Sequence, residues 1–366
     1  MNYIYKIITT FVLLIASAIH SRSPQRPIDP QMPELTFKWV DSNKTHTLRN
    51  AHLEEYPWFG TFDEKQFRGF LLPENHPLTF RYNPTQSINS TVLSAQIEQL
   101  LQEIKLMKHS YTDFTIIQKK DFNRKKASGL LVVKNKHAPF IVKLFIETPE
   151  SFTNPWEKGF IPIYLFYMGG GVNRHLSGFT RLVNHQYVQN QLQTDPYWAQ
   201  RVDIPRKWAW LPKGCPWVDI TSKNIGKKPT CNIQIPGIYA IIADAIESHP
   251  APAYTSPQKR KFAIELCNFL HLQVDPHLAN FIIEKDTNKF VIVDTEHFPT
   301  MVGFKKEITF KNHVTYYKHL LGHCANNMIF CTKRQLRTQQ YTSNVEYLAP
   351  SASVVRESPP AHQHSA

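Results

Sequence analysis

The chain is poor in charge, glycine and cysteine, and each shortage excludes something. Charged residues make up 19% of the 366 positions against 42% hydrophobic. That ratio excludes a chain disordered throughout. Thirteen glycines against 26 prolines exclude glycine-rich repeats and point to many loops with fixed turns. Five cysteines are too few for a fold built on disulfides. The histidines show no H-E-x-x-H or similar spacing, so nothing indicates a zinc centre. The most apolar stretch, Ile7 to Ile15, falls short of the ~20 residues that span a bilayer.

What is present is aromatic side chain and positive charge. The 23 Phe, 15 Tyr and 7 Trp supply a large core, and Lys plus Arg exceed Asp plus Glu by 42 to 29, a net +13. A basic surface attracts acidic partners. The densest run is Lys119, Lys120, Arg124, Lys125 and Lys126. Nothing in it specifies nucleic acid.

Residues 1–18 read as a signal peptide: Lys6, the short apolar stretch, then Ala16-Ser17-Ala18 as a small-residue cleavage site. The expected location is secreted or periplasmic. If the segment is uncleaved it is a membrane anchor, and no other membrane contact is expected. Export permits a Cys215–Cys231 disulfide. Cys324 and Cys331 on one helix would stand about 10 Å apart, too far to bridge. Cys267 lies in an apolar helical pattern and is expected to be a buried thiol.

Residues 19–55 are polar with several prolines and read as a linker or arm, and 56–111 as an extension carrying an amphipathic helix. Its apolar positions are Leu93, Ile97, Leu100, Leu101, Ile104 and Leu106 or Met107. Three β-branched runs follow, at 114–118, 129–133 and 140–146, as an antiparallel meander. Lys143 sits in the middle of the third. A helix is expected near 178–192 and strands at 207–211 and 238–242. Ser256-Pro257 opens a helix as N-cap and first helical residue. Two short strands, 281–283 and 290–293, form a hairpin, and helical spacing returns from about 312 to 337. The tail, 343–366, is polar and read as disordered.

The chemistry concentrates after the Ser256 helix. Asp275-Pro276-His277-Leu278-Ala279-Asn280 precedes the hairpin, and Asp294 follows it in Val293-Asp294-Thr295-Glu296. The hairpin brings Asp275, Asn280 and Asp294 to one end. Phosphoryl transfer uses such a set: one Asp for the attacking hydroxyl, an Asn and a second Asp for Mg²⁺, and a strand lysine for the phosphates.

With D-x-H-x-x-N and the Val-Asp at the hairpin's end, the sequence resembles the protein-kinase-like superfamily, nearer in form to aminoglycoside and small-molecule phosphotransferases than to ordinary protein kinases. The resemblance covers roughly 112–340. It implies an α+β bilobal fold, with an antiparallel N-lobe sheet over 112–246 that holds an insertion, and a mostly helical C-lobe over 247–342. It implies ATP and Mg²⁺ as cofactors and a hydroxyl acceptor, protein or small molecule. Asp275 would be the catalytic base, Asn280 and Asp294 metal ligands with Glu296 assisting, and Lys143 the phosphate lysine. His277 would buttress the loop. The chain departs from the family in lacking G-x-G-x-x-G. The turn that would cover the phosphates holds Lys126 and Gly129 instead. The expected helix at 178–192 offers no glutamate to pair with Lys143. A catalytically inactive kinase-like module that binds a partner through its basic surface is the alternative.

Overall fold

The computed structural model describes residues 31–42, 44–49, 63–119, 121–152, 171–224, 230–248, 256–299, 308–326 and 340–345. The signal-peptide segment, Cys331 and the tail beyond 345 lie outside the described residues.

In chain order the elements begin with β1 (Glu34–Trp39), β2 (Lys44–Arg49), α1 (Glu64–Gly69), β3 (Pro77–Phe80), β4 (Asn83–Asn89) and α2 (Ser90–Lys105). Next come β5 (Phe114–Gln118), β6 (Phe122–Asn123), β7 (Ser128–Asn135), β8 (Phe140–Ile146), α3 (Gly171–Gln193) and α4 (Pro196–Arg201). Then follow β9 (Val202–Asp203), β10 (Lys207–Trp210), β11 (Trp217–Lys223), β12 (Thr230–Pro236), β13 (Ile238–Asp244) and α5 (Pro257–Phe269). A short 3₁₀ turn, Leu278–Asn280, leads into β14 (Phe281–Ile283), β15 (Phe290–Ile292), α6 (His313–Asn326) and β16 (Gln340–Val345). The protein is thus mixed α+β with antiparallel main sheets, as expected. Among the described residues no helix is long and apolar enough to cross a membrane.

The central sheet has the order β10-β13-β8-β7-β5, with β6 paired to β7. The expected β5–β7–β8 meander forms, and β8 lies inside the sheet between β7 and β13. Alternation along its strands sends two sets of side chains to opposite faces. Leu131, Val133, Val142, Leu144, Ala240 and Ile242 pack with α2 through Leu93, Ile97, Leu100, Leu101 and Ile104. Leu130, Val132, Phe145, Tyr239 and Ile241 face the other way, onto Phe179 and Leu182 of α3. Lys143, two residues before Phe145, belongs to this second face.

A second sheet, β12-β11-β1-β2-β16, closes that second core with Leu35, Phe37, Trp39, Val218, Ile220 and Ile235. Residues 34–39 and 44–49 are therefore sheet strands, not the loose arm expected of 19–55. β1 buries every second side chain, and that period was available in Leu35, Phe37 and Trp39. The Cys215–Cys231 bridge is not formed, since Cys215 is a free thiol, while Cys267 is buried as expected. α2 ends at Lys105, so Leu106 and Met107 leave its apolar face and are exposed at 70% and 58%.

The third core joins the end of α3 (Val188, Leu192) to α4, α5, the β14–β15 hairpin and α6. Ser256 caps α5 with Pro257 at its first position, as expected. The hairpin is anchored from the β3–β4 turn. Arg81 Nε donates to Glu284 at 2.7 Å and its Nη2 to Asp203 at 2.6 Å, while Tyr82 Oη donates to Glu284 at 2.7 Å. Glu284 is buried, yet Arg81, Thr287 and Tyr82 together hold its carboxyl below the ordinary value against that burial.

Candidate active site

Three elements converge on Asp294. The first is the hairpin. Phe281 pairs with Ile292, and Val293 N–H donates to the Asn280 carbonyl at 2.9 Å. Asn280 therefore stands opposite the residue before Asp294. Asn280 Nδ2 donates to the Asp275 carbonyl at 3.1 Å, which ties the Asp275 loop to the same end. His277 shapes that loop: its Nδ1 accepts from Ala279 N–H at 3.3 Å. Asp275, Asn280 and Asp294 are brought together as the spacing implied.

The second element is β8. Lys143 pairs with Val132 on one side and Ile241 on the other. A lysine on an interior strand cannot reach solvent along a sheet edge, so its ammonium needs a counter-ion. Lys143 Nζ donates to Asp294 Oδ2 at 2.9 Å across 151 residues of sequence.

The third is α3, whose contribution the sequence reading missed. Arg181 Nε donates to Asp294 Oδ1 at 2.8 Å and Nη2 to Glu296 Oε2 at 2.8 Å. Its side chain is 8% exposed. Where a glutamate was sought to pair with Lys143, the helix presents an arginine, and Asp294 itself takes the lysine. Gly178, one turn earlier, permits this approach: a Cβ there would lie 2.1 Å from Tyr239 Oη and 2.7 Å from the Phe145 ring.

Lys207 of β10 was also missed. Its Nζ donates to Thr295 Oγ1 at 2.6 Å, and Thr295 Oγ1 donates to the Arg181 carbonyl at 2.6 Å. Asn184 Nδ2 donates to the carbonyls of Gln273 and Thr295 at 2.8 and 3.0 Å.

Electrostatics follow from this crowding. Burial would raise Asp294, but Arg181, Lys143 and Lys207 outweigh it and hold the carboxyl far below its ordinary value. Burial raises Glu296, with Arg181 opposing and Asp294 adding to the rise. Burial and the nearby Lys143 push Lys207 well down. Burial lifts Asp275, against a 2.6 Å hydrogen bond that its Oδ1 accepts from Tyr316.

The donor set suits a hard cation held on phosphates. Asn280 spends its Nδ2 inward, and its Oδ1 accepts no hydrogen bond from the described residues. Asp294 Oδ1 accepts from Arg181 and from the Glu296 N–H at 3.2 Å, while Oδ2 accepts from Lys143 alone, which leaves a lone pair on Oδ2. Among the described residues no three acidic, His or Cys side chains cluster around a metal position. Mg²⁺ commonly takes one or two protein ligands and completes its shell with phosphate and water. Glu296, expected to assist, is engaged by Arg181 instead.

Lys126 and Gly129 do not join these residues. Gly129 pairs with Ile146, three positions along β8 from Lys143. It is buried at φ +111°, where a Cβ would meet the Asp121 carbonyl at 2.1 Å; the need for glycine is steric. Lys126 is exposed, and its N–H donates to Asn123 Oδ1 at 3.1 Å. Arg174 Nη1 holds the Asp121 carbonyl at 3.0 Å. It precedes Arg181 by seven residues, about 10 Å along a helix axis. The basic turn and the Asp294 cluster thus sit at different levels of α3.

Comparison with protein-family models, with curated proteins and with solved structures returned no match.

Proposed function

We propose that the protein is an exported kinase-like phosphotransferase that moves the γ-phosphate of ATP to a hydroxyl acceptor. The observation that carries this reading is the Lys143–Asp294 contact. It joins a sheet lysine to the carboxylate beside Asn280, and phosphoryl transfer needs that pairing of a phosphate-holding cation with a metal-holding oxygen. The Asn280–Asp275 contact supports it, because it fixes the amide through its nitrogen and leaves Oδ1 available as a ligand.

In this reading Asn280 Oδ1 and Asp294 would hold Mg²⁺, which neutralises charge on the phosphates when bound. Lys143 orients the phosphates. Asp275 keeps Oδ1 on Tyr316 and His277 N–H, and its free Oδ2 takes the acceptor's hydroxyl proton. The raised carboxyl of Asp275 makes it a better base than an ordinary aspartate, since basicity near the working pH favours proton transfer.

A second reading, an inactive kinase-like binding module, is favoured by one observation: Arg181 already occupies Asp294 Oδ1. Both readings are tested by labelled-phosphate transfer from ATP to a panel of sugars and protein acceptors, with wild type and Asp275→Asn. Mg²⁺-dependent transfer that disappears in Asp275→Asn supports the enzyme. Nucleotide binding with no transfer to any acceptor, and no ATP hydrolysis, supports the inactive module.

A further inference from the structure

The densest basic run is left unexplained by the Asp294 cluster, and it has a neighbour the sequence did not reveal. Arg124 Nη1 lies 2.5 Å from His109 Nδ1, and Arg124 also donates to the Met107 carbonyl. The basic turn is thereby bound to the segment that follows α2. That segment, Lys105-Leu106-Met107-Lys108-His109, is exposed at every residue. Leu106 and Met107 are 70% and 58% exposed, and Ile117, on the edge strand leading into the turn, 55%.

The tip is held in shape. Lys108 N–H donates to the Glu103 carbonyl at 3.0 Å and Met107 N–H to Ile104 at 2.9 Å, the pair of bonds that closes a helix with a left-handed residue. Met107 is that residue, at φ 54°, where glycine is the usual occupant. Two bulky apolar side chains are thus displayed on a fixed loop.

Lys105 and Lys108 flank them in the chain, and Arg124 fastens to them the turn that carries Lys119, Lys125 and Lys126. The acids of the same segments are already engaged. Glu103 is buried and accepts from Lys108 at 3.1 Å and Thr112 at 2.5 Å. Asp113 meets His137 at 3.0 Å, and Asp121 stands 3.9 Å from Arg174. The patch therefore keeps an unbalanced positive charge. Leu106 and Met107 follow α2, which covers the sheet face opposite Lys143 and α3, and the basic turn meets α3 at Arg174, seven residues from Arg181.

Apolar side chains projecting from a ring of lysines are the chemistry of attachment to an anionic bilayer: the rings of charge draw the protein to the headgroups and the apolar tips insert. We propose that Leu106, Met107 and the basic residues Lys119, Arg124, Lys125 and Lys126 form a docking surface for an anionic membrane. This does not rest on the phosphotransferase reading.

The test is sedimentation of the full chain with phosphatidylcholine vesicles, with and without about 30% phosphatidylserine. Expected is binding to the anionic vesicles that falls steeply on raising salt from about 0.1 to about 0.5 M. Lys125→Ala and Lys126→Ala should each weaken it about fivefold. Leu106→Ser with Met107→Ser should weaken it about tenfold or more. Val314→Ser with Leu321→Ser, on the exposed face of α6, should leave it unchanged. The N-terminal apolar stretch is common to all these proteins, so it drops out of the differences. Equal binding to neutral vesicles overturns the proposal. So does anionic binding that survives Leu106→Ser with Met107→Ser in protein whose circular dichroism melt matches wild type.

Discussion

Replacing Arg181 with methionine removes the cation that two largely buried carboxylates share, Asp294 at 22% and Glu296 at 13% side-chain exposure. Methionine keeps the length of the stem and its packing near Phe145, whose ring the guanidinium carbon approaches at 5.9 Å. What is lost is two hydrogen bonds of 2.8 Å, to Asp294 Oδ1 and Glu296 Oε2, and a longer one of 3.4 Å to Ser177 Oγ. Lys143 still holds Asp294, but Glu296 loses its bonded counter-ion in a largely buried place beside a like charge. Removing one partner of a buried pair typically destabilises by about 3–5 kcal/mol, because the stranded charge is no longer compensated. The melting temperature should fall by on the order of 10 °C, followed by calorimetry or circular dichroism. Adding Glu296→Gln removes the stranded charge and should recover about 1–3 kcal/mol of the loss. If Arg181→Met is within ~1 kcal/mol of wild type, or if the double variant is no more stable than the single, the network does not hold the fold as described.

Three further expectations follow from particular contacts. Asp294 has a depressed carboxyl in the folded protein, so its contribution is fully present above the unfolded value of about 3.9 and lost as pH falls below it; acid unfolding followed by fluorescence should be shallower in Asp294→Asn than in wild type over that window. Gly178→Ala inserts a methyl into the Tyr239–Phe145 contact and should destabilise by about 1–3 kcal/mol in urea unfolding, through overpacking. Met107→Gly relieves a left-handed residue and should stabilise by about 1 kcal/mol in the same assay while weakening vesicle binding; no gain in stability would contradict the strained helix end.

What the sequence disclosed, it disclosed through local period and caps. The run Phe140 to Ile146 alternates within one strand, and Ser256-Pro257 marks a helix start without outside help. Asp275, Asn280 and Asp294 were legible because the hairpin is short and brings its own flanks together. The second sheet was hidden for the opposite reason. β2 reads Lys-Thr-His-Thr-Leu-Arg, nearly all polar, and is held by pairing with β1 and β16. Its pairing with β16, almost 300 positions away in the chain, has no local signature. Arg181 and Lys207 were passed over because a single charge in an amphipathic or aromatic segment looks like a solvated face. Only the packing of α3 on the sheet turns both inward. The basic run was legible as charge, but its association with Leu106 and Met107 depends on where α2 stops.

The most direct measurement is a thermal-shift titration with ATP, with and without Mg²⁺, on wild type, Lys143→Ala and Asp294→Asn. The account requires ATP to raise the melting temperature of wild type, Mg²⁺ to increase that rise, Lys143→Ala to reduce it under both conditions, and Asp294→Asn to abolish the part that depends on Mg²⁺. A wild-type protein whose melting temperature ATP and Mg²⁺ leave unmoved at millimolar concentration would contradict it.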